Sequence, residues 1–166
     1  MRVHLMHIPK TGGITAYRAL TAAGVDVTRG HNPADVDDLP SDTLVITLLR
    51  NPVDRAWSAY RYELRQKYFE GTLREYLDRK PDIWYWGVRN VQARYMRPGV
   101  LVDTTDKLDR LIRKVCAMVG VEPPTDYEWH GRSPDEDYTL REYSMLAAAV
   151  GEEDRALYSI FGQRVW

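Results

Sequence analysis

The sequence predicts an α/β domain with a mostly parallel central sheet flanked by helices. Three observations carry that expectation. Strand, polar turn and helix follow one another twice between Arg2 and Phe69, and a third short apolar run leads into a further amphipathic helix. The strongest strand candidate, Thr43-Leu44-Val45-Ile46-Thr47-Leu48-Leu49, is apolar on both faces, as strands of a parallel sheet are.

The first strand candidate is His4-Leu5-Met6-His7-Ile8, short and mostly apolar, and Thr15-Ala16-Tyr17-Arg18-Ala19-Leu20 is compatible with helix. Val25 to Thr28 is a weaker strand. The run Thr43 to Leu49 stops at Arg50-Asn51-Pro52, where Asn51 can cap a helix and Pro52 can take its first position. Val53, Trp57, Tyr60 and Leu64 then recur at helical spacing, predicting a helix to about Phe69. Val100-Leu101-Val102 is a third strand leading into a helix from Asp106 to Val119, and Thr139 to about Phe161 reads as helix broken at Gly151. Gly120 to Tyr138, with its prolines, is expected to be an ordered loop. No repeat or low-complexity segment interrupts the chain, so residues 1–166 are expected to form a single domain.

Composition sets the outer bounds. With 166 residues, 44% hydrophobic and 28% charged, the chain can bury a real core. A formal charge of −1 and a pI near 6.4 argue against a general binder of nucleic acid or membrane surface, so any anion must be met by locally placed cations. The single cysteine, Cys116, shares a helical face with Leu108, Leu111, Ile112, Val115 and Val119 and reads as a core thiol. No apolar run approaches membrane-spanning length and the N-terminal residues carry no cleavable signal pattern, so a reducing cytoplasm is the expected location.

The stretch His7-Ile8-Pro9-Lys10-Thr11-Gly12-Gly13-Ile14-Thr15 joins the first strand to the first helix. Unpaired N–H groups and the positive end of a helix converge at such a turn and make an anion site. It is not the G-x-x-x-x-G-K-[ST] loop of nucleoside triphosphatases, because Lys10 precedes the glycine pair. Lys10 could still reach an anion cradled by the N–H groups of Thr11, Gly12, Gly13, Ile14 and Thr15, with the Thr11 and Thr15 hydroxyls as added donors and the glycines allowing close approach. The bland alternative is a surface turn with an incidental lysine.

These residues resemble a family. "HIPKTGGIT" is similar to the 5′-phosphosulfate loop of sulfotransferases, especially the carbohydrate group that includes heparan sulfate 2-O-sulfotransferases and their bacterial relatives. "LRNPVDRAWSAYRY", Leu49 to Tyr62, resembles the same family's 3′-phosphate motif, which implies that Arg50 and Ser58 bind the 3′-phosphate of 3′-phosphoadenosine 5′-phosphosulfate (PAPS). The likeness continues more weakly through Asn90 to Tyr95 and Asp154 to Tyr158. It implies a small P-loop-like sulfotransferase domain. The physical reading agrees: arginine offers a fixed fork of donors for a phosphate dianion, and Ser58, two turns into its helix, offers one hydroxyl. Taken singly, Arg50 could instead cap the helix or pair with Asp54, and Ser58 could simply pack.

Sulfuryl transfer needs an in-line nucleophile, stabilisation of the leaving phosphate and a group that takes the acceptor's proton. His31, in Arg29-Gly30-His31-Asn32-Pro33, follows the weak second strand and matches the Gly-His that lies between the two nucleotide motifs of the 2-O-sulfotransferase group, where the resemblance implies a catalytic base. A solvent-facing loop histidine is the alternative. His7 borders the phosphate turn and could touch substrate or serve the strand end; Glu63 and Glu70 are weaker substitutes as bases. Lys10 would donate to the bridging oxygen as charge develops there. No metal is expected, since no cluster at zinc spacing is present and Lys10, Arg50 and backbone dipoles can neutralise the nucleotide.

Gly131-Arg132 resembles the end of a Lys-Gly-Arg segment that covers the nucleotide in several sulfotransferases, with His130 at the lysine position, so Arg132 is a further candidate for the 3′-phosphate. Trp84, Trp86 and Arg94 belong to a run of aromatic and cationic residues that a saccharide acceptor could use, or that could form core. The expected partners are a nucleotide donor and a hydroxylated acceptor, with saccharide leading. Two rivals share parts of the pattern: a nucleotide or small-molecule kinase, and a non-catalytic phosphonucleotide-binding module.

Overall fold

The computed structural model describes residues 1–78, 92–128 and 138–162. The chain divides into two compact units, one formed by residues 1–49 and 94–132, the other by 50–93 and 133–166.

The first unit holds the sheet. Its strands are β1 (Val3–Met6), β2 (Val27–Gly30), β3 (Leu44–Leu49) and β4 (Leu101–Thr104), in the order β2-β1-β3-β4, and every pairing is parallel. The register aligns Met6 with Gly30 and Leu5 with Ile46, so β1 lies between β2 and β3, which both follow it in the chain, and the strand order reverses there. In an open parallel sheet that reversal of order opens a crevice at the carboxyl ends of the strands, where ligands gather. Helix α1 (Gly13–Ala22) follows β1 and helix α4 (Leu108–Val119) follows β4. Val3, Leu5, Ile46 and Leu48 pack with Ala16, Ala19 and Leu20 of α1 and Leu108, Leu111, Ile112, Val115 and Cys116 of α4. Each large aliphatic side chain in that layer is worth about 1.5–3 kcal/mol. Cys116 is fully buried there, and burial pushes its thiol up, as a core role requires.

The second unit contains α2 (Pro52–Arg65), α3 (Leu73–Asp78), α5 (Leu140–Ala149) and α6 (Glu152–Gly162). Val53, Ala56, Tyr60, Leu73, Tyr76, Leu146 and Val150 form its core. Asn51 caps α2 as the sequence suggests, its Oδ1 accepting from the N–H of Val53 at 2.9 Å and of Asp54 at 3.4 Å, with Pro52 in the first turn. Thr139 and Glu142 close a reciprocal capping box on α5.

Several boundaries differ from the sequence reading. Helix α2 stops at Arg65, short of Phe69, because Lys67 takes a left-handed φ of 57° that no helix can continue through. The second strand lies two residues later, at Val27–Gly30, and α4 begins with a 3₁₀ turn at Thr105–Lys107. Helix α3 is additional. From Gly120 to Glu128 the chain is irregular, and Val121 and Tyr127 pack on the first core. No helix among the described residues is long and apolar enough to cross a membrane.

Candidate functional site

In the first unit, the turn after β1 is held in a shape that a random sequence would not adopt. Lys10 has φ 68° and Gly12 φ 83°, both left-handed; for the lysine that conformation costs about 1–2 kcal/mol. Backbone strain at a turn beside a helix start is common where a ligand is bound. Gly12 occupies the N-cap of α1, no side chain caps the helix, and its first turn carries no acidic residue. The helix therefore presents its positive end without an internal counter-charge.

The Thr11 hydroxyl does not face outward as a donor. It gives its one proton to the Ile8 carbonyl at 2.8 Å and is buried, so what Thr11 can offer an anion is its N–H. Thr105, which no sequence signal singled out, braces the turn: its hydroxyl lies 2.8 Å from the Thr11 carbonyl and 3.0 Å from the Leu49 carbonyl, sharing one proton between them. Thr47 ties β3 to β1 in the same way, donating to the Met6 carbonyl at 2.8 Å.

The two glycines have different reasons. Gly12 is needed for its positive φ. Gly13 is needed for space, since a Cβ there would fall 2.1 Å from Cδ2 of His7. Room for the His7 ring, more than approach of a ligand, is what excludes a side chain at position 13.

His7 and His31 end adjacent strands, β1 and β2, and their rings lie 4.4 Å apart, tilted by 35°. Nδ1 of His31 is 2.8 Å from the His7 carbonyl. A carbonyl can only accept, so Nδ1 carries the proton and the lone pair of the neutral ring sits on Nε2. The Tyr95 hydroxyl, from the 3₁₀ turn Gln92–Tyr95, donates to the His31 carbonyl at 3.0 Å. His31 is half-buried, whereas His7 is 4% exposed, with Nδ1 buried and without a hydrogen-bond partner among the described residues. His4 is a packing residue: it is buried, with Nδ1 2.9 Å from the Thr28 hydroxyl.

Burial, reinforced by His31 in its protonated form and by the charges of Arg29 and Lys10, holds the His7 imidazole at about 3, far below its ordinary 6.5. The native state keeps His7 neutral where the unfolded chain would protonate it. Stability is therefore full above pH 6.5 and falls as pH drops toward 3, by up to about 1.4 kcal/mol per pH unit from this group. Urea midpoints measured from pH 7 to pH 4 should show that decline, and His7→Gln should have a shallower one; equal slopes would contradict the assignment.

In the second unit, Arg50 begins the segment that leads into α2. Gln92, fully buried, clamps its main chain from both sides: Oε1 accepts from the Arg50 N–H at 2.9 Å and Nε2 donates to the Arg50 carbonyl at 2.9 Å. Asp154, at the start of α6, in turn accepts from the N–H of Ala93 at 3.1 Å. Burial draws the Arg50 guanidinium below its ordinary value, against the opposing influence of Asp54, Tyr138 and Tyr158. Tyr138 donates to Asp54 at 2.7 Å. Ser58 lies on α2, 1% exposed, and its hydroxyl has no hydrogen-bond partner among the described residues. Leaving a buried hydroxyl unpaired costs about 1–3 kcal/mol, and a bound acceptor would remove that cost.

Glu63 is buried and accepts from the Tyr76 hydroxyl at 3.0 Å, a core arrangement ill suited to a base. Glu70 is exposed in the α2–α3 connection. Arg94 is exposed beside Tyr95. Tyr76 and Tyr95 are buried, Tyr68 is exposed, and Trp84, Trp86, His130 and Arg132 lie outside the described residues. No group of three or more potential metal ligands occurs among the described residues.

The fold is similar to that of a sulfotransferase. The crystal structure of a sulfotransferase from Alicyclobacillus acidocaldarius matches 96% of this chain and 78% of its own, with a TM-score of 0.56 and 22% sequence identity. No protein-family model and no curated protein matches the sequence.

Proposed function

We propose that the chain is a PAPS-dependent sulfotransferase acting as one domain, with the hydroxyl of a saccharide as acceptor. The observation that carries this reading is the strained turn at Lys10 to Gly13, which opens an uncapped helix beside a histidine whose Nδ1 is tied to a carbonyl. An anion cradle and a base-ready imidazole at the ends of neighbouring strands are the two parts that sulfuryl transfer needs.

In this reading the N–H groups of Thr11 to Thr15 and the Lys10 ammonium take the 5′-phosphosulfate. Arg50 and Ser58 take the 3′-phosphate, with Arg132 as a further candidate. The donor fits these residues on two counts: the first turn of α1 carries no acidic residue, and the buried Ser58 hydroxyl has no partner among the described residues. Nε2 of His31 removes the acceptor's proton as the acceptor oxygen bonds to sulfur. The bond from sulfur to the bridging oxygen breaks, and Lys10 donates to that oxygen as 3′-phosphoadenosine 5′-phosphate (PAP) departs. His7, Trp84, Trp86 and Arg94 are the candidates for acceptor contacts, and the heparan sulfate 2-O-sulfotransferase group is the nearest analogy in sequence pattern. A cytoplasmic location and independence of metal belong to the same reading.

A kinase is disfavoured by the position after the glycine pair. It is Ile14, an aliphatic side chain 41% exposed, where a nucleoside triphosphatase loop carries its lysine. Titration calorimetry with PAP and with adenosine 5′-monophosphate, in chelator, tests the donor assignment: PAP should bind at least roughly tenfold more tightly. Equal affinities would remove the 3′-phosphate from the reading.

A further inference from the structure

We propose that Gly13, His7 and Tyr95 are positioning residues that lock His31 in its Nδ1–H form and aim Nε2 at the acceptor. This rests on the reading of His31 as the base.

Contacts with His7 and Tyr95 hold His31 among the described residues. Its Nδ1–H donates to the His7 carbonyl at 2.8 Å. Its ring lies against the His7 ring, with centroids 4.4 Å apart. Its own carbonyl accepts the Tyr95 hydroxyl at 3.0 Å. The His7 carbonyl is itself held, because the His7 N–H donates to the Gly30 carbonyl at 2.7 Å and continues the β1–β2 ladder by one residue. The His7 ring sits over Gly13, where a Cβ would stand 2.6 Å from Nε2 and 2.9 Å from Cγ. Any residue but glycine at 13 must therefore push that ring away.

The consequence is chemical. A free neutral imidazole favours the proton on Nε2, the form in which that nitrogen cannot act as a base. An Nδ1–H fixed on a carbonyl reverses the preference and puts the lone pair on Nε2. Ring-on-ring contact adds orientation, and a small misplacement of a catalytic group is costly. Tyr95 is 4% exposed, so its hydroxyl acts inside the protein and not on a ligand in solvent.

The test is the tautomer of His31, read by long-range proton–nitrogen correlation in the intact protein at neutral pH. The expected spectrum has a protonated Nδ1 and a bare Nε2. A protonated Nε2 would overturn the proposal whatever the activity. Tyr95→Phe should keep the fold and PAP affinity while lowering kcat by about 10-fold, the scale of a misdirected base. An unchanged kcat in Tyr95→Phe would remove Tyr95 from the assembly. In Gly13→Ala the His31 signals should move toward the Nε2–H pattern; if that variant does not fold, the wild-type spectrum and Tyr95→Phe still decide. An Nδ1–H spectrum together with normal turnover in His31→Ala would leave the positioning geometry standing and reject His31 as the base.

Discussion

His31→Ala is expected to lower turnover by roughly 100-fold or more and to leave PAP binding nearly unchanged, because a positioned base typically contributes 10²–10⁴-fold. The separation follows from the geometry. His31 contacts the His7 carbonyl and ring and the Tyr95 hydroxyl, so its imidazole is anchored by protein groups at Nδ1, and the proposed proton transfer falls to Nε2. Removing the ring deletes proton transfer without touching the helix start that would hold the donor. Lys10→Ala should differ, weakening donor binding as well as slowing transfer, since an ammonium on the phosphosulfate acts in both ground and transition states. Steady-state kinetics with PAP inhibition constants separates the two. Near-normal turnover in His31→Ala would place the base elsewhere, with His7 and Glu70 next to be examined.

Arg50→Ala should abolish most of the stabilisation that PAP gives the protein. A bidentate contact to a phosphate dianion is worth about 2–4 kcal/mol, which is roughly 30- to 1000-fold in affinity. The fold without nucleotide should hold, because Gln92 grips Arg50 through its N–H and carbonyl, groups that alanine retains. Melting temperatures with and without saturating PAP measure the effect directly. Adenosine 5′-monophosphate, lacking the 3′-phosphate, should stabilise wild type and variant alike. A variant that keeps the full PAP shift would sink the assignment of Arg50.

The parts of this protein legible in its sequence are those set by local rules. Asn51-Pro52 announced a helix start, the run Thr43 to Leu49 a buried strand, and the stripe from Leu108 to Val119 a core helix; all three are present, the strand beginning one residue later, at Leu44. The parallel sheet was legible because strands and helices alternate. Helix α3 was overlooked although Thr72 and Glu75 form a capping pair, the Thr72 N–H donating to Glu75 at 2.7 Å and the Glu75 N–H to Thr72 at 3.3 Å. The end of α2 was misplaced because a left-handed lysine leaves no trace in composition.

The bracing of the candidate residues within each unit was hidden for a different reason. Thr105 reaches Thr11 across 94 residues, Tyr95 reaches His31 across 64, and Gln92 reaches Arg50 across 42. Periodicity and local motifs carry no information on such pairs. Gln92 did lie in the stretch from Asn90 to Tyr95 that resembles sulfotransferases, which was the one available signal. The glycine pair was visible, but one of its two reasons, the ring of His7 over Gly13, is a contact that only the folded turn brings about.

The most direct test of sulfuryl transfer is incubation of the protein with PAPS carrying radioactive sulfur, saccharide and phenolic acceptors, and a chelator. The predicted result is label on an acceptor hydroxyl with PAP released in equal amount, lost in His31→Ala and undiminished by the chelator. Phosphate transfer from magnesium–ATP to the same acceptors, with no sulfur label transferred, would contradict the account.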